Sequence, residues 1–529
     1  MSWEINLDSI LALDKQIAQQ ERALIQLKRI RNSLLNVSTL LPPEILGNIF
    51  RWNAIPDPGD FGGLPKGSYN FLLVCHHWFE VASRTPELWS FWGNSIQDWA
   101  HRHARSGTAP LDLVLGEDTG RALDDRLRDA LKDRAARDAI RRVHLRATNA
   151  DPINSVISAI VAGGEGARQS SIESFVVRNH GKRSVDVSAF FSRYRLPKLQ
   201  HLCLYDCGIP PWDLLKSQTM TLTTLELAVA QMLPTPTITQ LLGILSSNPL
   251  LQYLKLFRAL SIGPADSDRT IFPPVPLHHL KDIELTAGPF SATELLNHLE
   301  LPDKMDAMKL ILYNCSPSDI SQILGPFIGD RVRRRGRIPG GGLVLRSCST
   351  PEYIKFSAGS AYESGALNEV VWFVRVPAYF GEELEDEEIN RLHLDLIAHI
   401  PLDQVISLET TLPILRSEEL CIGMTNLTHL HLRDVDLSTW FVEPEISGAH
   451  SFKDILPGLG SIEITYCSLS GGWDAFTNFL YRRAAVGNRV SSLKFNSQVQ
   501  MGEHVAEIIE RMVDVFDDRV DGWPGPDDL

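Results

Sequence analysis

The chain has 529 residues, 44% of them hydrophobic and 22% charged, with a formal net charge of −14. That length exceeds one compact core, so several domains or one extended repeat array is expected, and no apolar run approaches the roughly 20 residues of a membrane span. The acidic balance argues against a broad nucleic-acid or anionic-membrane surface, and 7 scattered cysteines do not make a secreted disulfide framework, so a reducing cytosol or nucleus is expected.

Residues 1–13 alternate apolar residues with Glu4, Asn6 and Asp8 and lack the basic start and apolar centre of a secretory signal. From Ile10 onward a seven-residue pattern sets in. Ile10, Ile17 and Leu24 share one core position and Leu13, Leu27 and Leu34 the other, with Gln20 and Arg31 as the polar exceptions. No Pro or Gly interrupts residues 8–36, so about 29 helical residues would reach roughly 44 Å at 1.5 Å each. Residues 1–37 are thus an amphipathic or coiled-coil helix. Its seam either packs on following helices of the same chain or self-associates through residues 8–36.

Residues 38–92 read as three short helices. Pro42 and Pro43 suit a first helical turn, where a missing N–H is no loss, and Glu44 complements the positive end of the dipole. Ile45, Leu46, Ile49 and Phe50 then mark an apolar face. After a Pro- and Gly-rich insertion, Leu73, Val74, Trp78 and Val81 share a second helical face. Thr85 and Pro86 open a third, short element ending in Leu88 and Trp89.

The succession Leu41-Pro-Pro-Glu-Ile-Leu, Leu73-Val-Cys-His-His-Trp and Thr85-Pro-Glu-Leu-Trp resembles the F-box in order and spacing. It is especially similar to F-box proteins of mushroom-forming fungi, which also tend to carry an N-terminal amphipathic helix and a trailing Ser-Gly-x-Ala-Pro-Leu segment, here residues 106–111. The resemblance implies that Leu41, Pro42, Pro43, Ile45, Leu46, Val74, Cys75 and Trp78 bind a Skp-type adaptor, and through it a cullin ligase. The chain departs from the usual pattern in the length of its insertion at 55–70.

Residues 93–135, with a charged helical pattern around Leu123, Leu127 and Leu131, are expected to form a linker and cap. Over 136–515 a Leu-x-x-Leu-x-Leu-x-x-Cys phrase recurs, best at Leu199 to Cys207 and again from Leu427 and Leu459. Weaker copies start near Ile140, Ile172, Leu222, Leu251, Leu280, Ala307, Gly340, Leu367, Asp403 and Val490, about 29 residues apart on average. Helical patterns at 237–245, 291–299, 319–327 and 473–480 alternate with these strands. No such unit buries its apolar side alone, so the fold expected is α/β, a curved leucine-rich-repeat-like solenoid. An acidic flexible tail is expected at 516–529.

Cys207, Cys315, Cys348 and Cys467 occupy the ninth position of the phrase, where a small side chain ends the strand. Strand alternation sends Cys203 to the concave sheet surface and Cys207 to the core, which speaks against a shared zinc site. The same alternation makes His201, Tyr205, Tyr253, Lys255, Phe257, Lys309, Tyr313, His429, His431 and Arg433 a candidate substrate-binding face, rich in residue types common at protein contacts. An arginine cluster at 331–337 and an acidic run at 382–388 read as solvated loops.

No motif supports catalysis. Residues 62–68 space glycines like a phosphate loop but carry Ser68 where lysine is required, and Gly-x-Ser-x-Gly and His-Glu-x-x-His are absent. The function expected is a non-enzymatic substrate receptor without cofactor or metal. A ligase-independent scaffold is the alternative.

Overall fold

The computed structural model describes residues 7–35, 41–54, 69–93, 99–116, 125–162, 168–181, 183–208, 212–216, 220–229, 235–260, 273–302, 305, 307–313, 343–350, 353–361, 367–377, 394, 397–411, 417–433, 440–441, 452–465, 472–496 and 503–520. The chain is mixed α/β, built largely on parallel sheet, and divides into two compact units, Met1–Leu222 and Thr223–Leu529.

The first unit opens with the helix Leu7–Leu35. Between residues 10 and 31 every described side chain is exposed except the half-buried Ala18. Ile10, Leu13, Ile17, Leu24 and Leu27 all lie open, so none of the described following helices covers these seam residues.

The three helical patterns follow as four short pieces. Pro43–Ala54 begins at the proline pair, with the Pro42 carbonyl accepting from the amides of Ile45 and Leu46. The second pattern divides into the 3₁₀ turn Asn70–Leu73 and the helix His76–Ser83, because Cys75 is extended between them. Pro86–Leu88 is the third, with Pro86 in its first turn. Thr85 serves as N-cap by position only, since its hydroxyl donates to the Val81 carbonyl instead. Leu46, Phe50, Phe71, Val81, Ala82, Leu88 and Trp89 close one core. Phe50 stacks on Phe71 at 4.4 Å, and Trp78 packs against it at 5.1 Å. Gly47 lets this helix approach closely, for a Cβ there would lie 3.2 Å from the Thr85 hydroxyl.

The sheet of this unit starts earlier than residue 136. Phe91–Gly93, Leu111–Leu115, Ile140–Ala147, Ser174–Asn179 and His201–Tyr205 pair in that order, all parallel. Residues 93–135 thus contribute a full strand, beside helices Asp125–Ala130 and Arg134–Asp138 that bury Leu127 and Leu131. The inner face carries Val143, Leu145, Phe175, Val177, Leu202 and Leu204, none more than 1% exposed. Phe175 meets Phe190 and Phe191 of the helix Ser188–Arg193 at 4.2 and 5.5 Å. The three-helix module is fastened to this sheet by cation–π contacts. The Arg102 guanidinium, on the helix Trp99–Ser106, lies 4.6 Å from the Tyr69 ring and donates to the Tyr69 hydroxyl and the Phe91 carbonyl. Arg105 sits 4.5 Å from the Trp89 ring.

The second unit continues the strand pattern. Thr224–Ala228, Tyr253–Phe257, Asp282–Ala287 and Ala307–Leu312 are parallel neighbours. So are Val405–Thr410, His429–Arg433, Ser461–Thr465, Ser492–Asn496 and Val515–Val520. Between these runs the expected simple succession fails. Leu343–Thr350, Tyr353–Ala361 and Leu367–Pro377 form an antiparallel meander, and it is Leu367–Pro377 that pairs with Ala307–Leu312 while Leu343–Thr350 pairs with Val405–Thr410. The physical reason is connection length. Only 351–352 and 362–366 join these strands, too short for the crossover of a dozen or more residues that parallel neighbours require.

The helical patterns at 237–245, 291–299 and 473–480 appear as Ile238–Ser246, Pro289–Asn297 and Trp473–Ala485. The first is opened by a full capping box in which Thr237 and Gln240 each satisfy the other's amide. The pattern at 319–327, the charged clusters at 331–337 and 382–388, most of the insertion at 55–70, Leu123, Cys315 and Cys467, and the Cys348 side chain lie outside the described residues. Val515–Val520 carries strand structure into the segment expected to be a flexible tail.

Candidate functional site

Two surfaces gather the residues singled out by the sequence. The first is the outside of the three-helix module. On Pro43–Ala54, Ile45, Ile49 and Trp52 follow at i, i+4 and i+7, so they form one stripe, and they are 48%, 46% and 90% exposed. Leu73, Val74 and Phe79 are likewise exposed on the second element. Pro42 and Pro43 are exposed, Leu41 and Cys75 half-buried, and Trp78 half-buried against Phe50.

One expected contact is displaced. Leu46 is 1% exposed inside the module's own core, because a helical face seen from sequence merges Ile45 and Ile49 with Leu46 and Phe50 when the two pairs point to opposite sides. Ile49, Trp52, Leu73 and Phe79 were not among the expected contacts. The i, i+4, i+7 stripe was the available signal for the first two.

The second surface is the outward face of the strands. His201 and His429 are exposed, and Tyr205, His431 and Arg433 half-buried. Tyr253 is 44% and Phe257 41% exposed, with Lys255, Lys309 and Tyr313 half-buried. These residues divide between the two units.

In the first unit, Arg142, His144, Arg146, Arg178, His201 and Tyr205 are on this face, and Arg178 lies over the Tyr205 ring at 5.1 Å. Cys203 is on it too but is covered, 4% exposed between Val176 and Tyr205, because neighbouring side chains on a pleated face stand close enough to bury a small one. Cys207 is fully buried as expected, and burial pushes its thiol up, which disfavours its thiolate.

His144 is 4% exposed and its Nε2 lies 2.8 Å from the Ser174 hydroxyl. Burial first, then the charges of Arg142, His201 and Arg178, push it down to about 4. A base depressed when folded binds fewer protons there than when unfolded. The stability it permits is therefore complete above its ordinary value near 6.5 and is lost as pH falls toward 4. Thermal unfolding from pH 7 to 4 is expected to show a fall in this window that His144→Gln diminishes. An unchanged pH profile in the variant would assign the acid sensitivity elsewhere.

In the second unit, register aligns Glu226, Lys255, Glu284 and Lys309 across four strands. The Lys255 and Lys309 ammonium groups reach the two Glu284 oxygens at 2.7 and 3.0 Å. Burial would raise the Glu284 carboxyl, but the hydrogen bonds and charges of both lysines outweigh it and hold the group below its ordinary value. His429 and His431 take separate partners. His429 Nδ1 meets the Thr428 hydroxyl at 2.8 Å, while His431 Nε2 meets the Thr465 hydroxyl at 2.9 Å and its Nδ1 lies 4.0 Å from Glu409.

Among the described residues no three His, Cys, Asp or Glu side chains are grouped as metal ligands, and no helix is long and apolar enough to cross a membrane. Cys421 is fully buried with its thiol pushed up to about 12 by burial, which keeps it protonated at neutral pH. No protein-family model matches the chain, and no curated protein matches it.

Proposed function

We propose that this chain is an F-box substrate-recognition subunit of a Skp-cullin-F-box ubiquitin ligase, binding the adaptor through its three-helix module and a protein target through the outward face of a leucine-rich-repeat-like solenoid. One observation carries the reading. The module closes a core of its own and still leaves Ile45, Ile49, Trp52, Leu73, Val74 and Phe79 outside it, more apolar side chain than three short helices need to expose. Burying these six gives on the order of 5–10 kcal/mol before association costs of comparable size, so binding depends on good fit.

The chain supplies proximity and no chemistry of its own, since holding target beside the ubiquitin-charged partner replaces a bimolecular encounter. Its seat of action is the cytosol or nucleus. Recombinant full-length chain mixed with a Skp-type adaptor is expected to elute with it as one complex. Separate elution would reject the ligase reading and favour a scaffold that uses the sheet face alone.

The open seam of Leu7–Leu35 fits a second copy, because apolar residues every 3.5 positions match another helix and drift off a flat surface. Sedimentation of the full chain at increasing concentration is expected to move toward a dimer, and Leu13→Asp with Leu27→Asp to hold it as a monomer. A wild-type chain monomeric throughout would reject self-association.

A further inference from the structure

The outward face of the second unit contains a corner in which an arginine is held in place by aromatic rings, without a carboxylate among the described residues. Arg258 follows the strand Tyr253–Phe257 and has a φ of 51°, in the left-handed region. Simple alternation would turn it away from Phe257. The backbone reversal instead brings its guanidinium to 5.5 Å from the Phe257 ring and 5.5 Å from the Tyr313 ring. Its amide is tied to the Thr286 carbonyl at 2.7 Å. Two rings thus fix the side chain, yet Arg258 is exposed and makes no ion pair among the described residues.

Beneath Arg258 the packing is closed. Thr286 is the register partner of Phe257, is only 5% exposed, and its hydroxyl has no hydrogen-bond partner among the described residues. That hydroxyl has no open surface, so Arg258 is the group of this corner that a ligand can reach. The neighbouring row sets the charge that fits. Lys255 and Lys309 are both taken up by Glu284, which leaves Arg258 with its single positive charge outside any ion pair among the described residues, and one negative charge matches it better than the two of a phosphate.

We propose that this corner binds the side-chain carboxylate of an Asp or Glu in an extended peptide. Arg258 offers the carboxylate its planar fork, and exposed Phe257 and Tyr253 receive an apolar residue beside it. Arginine suits the task better than lysine because the stacked guanidinium is already oriented. The proposal rests on the reading that the sheet face holds the target. It does not depend on the adaptor surface.

The test uses the full chain and degenerate synthetic peptides with one position fixed as Asp, Glu, Asn, phosphoserine or Ala. Enrichment of Asp and Glu over Asn, phosphoserine and Ala is expected. A selected peptide should bind about tenfold or more weakly to Arg258→Asn, a substitution that tolerates the positive φ, and also more weakly to Arg258→Lys. Replacing the peptide's acid by Asn should cost a similar factor in the wild type and little in Arg258→Asn. Absence of acid enrichment, equal binding by Arg258→Asn, or preference for phosphoserine would each overturn the proposal. Adaptor capture measured on the same samples separates the two readings: acid-selective peptide binding without adaptor binding would retain this site and reject the ligase assignment.

Discussion

Replacing Ile49 and Leu73 together by aspartate is expected to abolish capture of a Skp-type adaptor while the three-helix module stays folded. Both side chains are outside the module's core, at 46% and 84% exposure, so a charge there meets water in the free protein. In a complex the same two carboxylates would lose that water without gaining partners, at about 2 kcal/mol or more each, which lowers affinity by a factor on the order of 1,000. Leu46→Ala provides the contrast. Leu46 is 1% exposed beside Phe50, so its truncation is expected to cost about 2–5 kcal/mol of the module's stability and to reduce binding only through unfolding. Adaptor co-elution alongside thermal unfolding checks both. An aspartate pair that still captured adaptor would show that the exposed stripe is not the interface.

Arg483→Met is expected to destabilise the second unit by about 3–5 kcal/mol, read as a lower urea midpoint for that unit's transition. Arg483 is 1% exposed on the helix Trp473–Ala485 and donates to the carbonyls of Ile455, Leu456 and Leu459 at 3.0, 3.0 and 3.1 Å. Leu456 has a φ of 45°, a costly conformation for a branched side chain, and Arg483 is one of the groups that hold it there. Methionine keeps most of the volume but removes the guanidinium from the Ile455 and Leu459 carbonyls and leaves the Leu456 carbonyl with the Leu459 amide alone. Burial pushes Arg483 down to about 10, still far enough above neutral pH for the guanidinium to stay charged and donating. A midpoint unchanged by the substitution would mean that water satisfies those carbonyls.

The repeated leucine phrase was legible because a strand with one buried face must alternate. Leu202 and Leu204 are fully buried, and Leu254 and Leu256 nearly so, where the pattern put them. The seven-residue pattern at the N-terminus likewise appears as the helix Leu7–Leu35, since its helical propensity is uninterrupted by Pro or Gly. Periodicity was less able to say what covers a face. It joined Leu46 to Ile45, and it sent Cys203 to a surface where Val176 and Tyr205 enclose it.

Local pattern therefore sufficed for the type and inward side of most elements, because propensity and alternation are properties of neighbouring residues. Which strand lies beside which was a matter of long-range pairing. The meander of Leu343–Thr350, Tyr353–Ala361 and Leu367–Pro377 reverses the simple order although its residues read like further repeats. The Arg258 corner belongs to the same class. A single positive φ turns that side chain between Phe257 and Tyr313, residues 56 positions apart, and only the parallel pairing of strands that are not adjacent in sequence brings the two rings to one guanidinium.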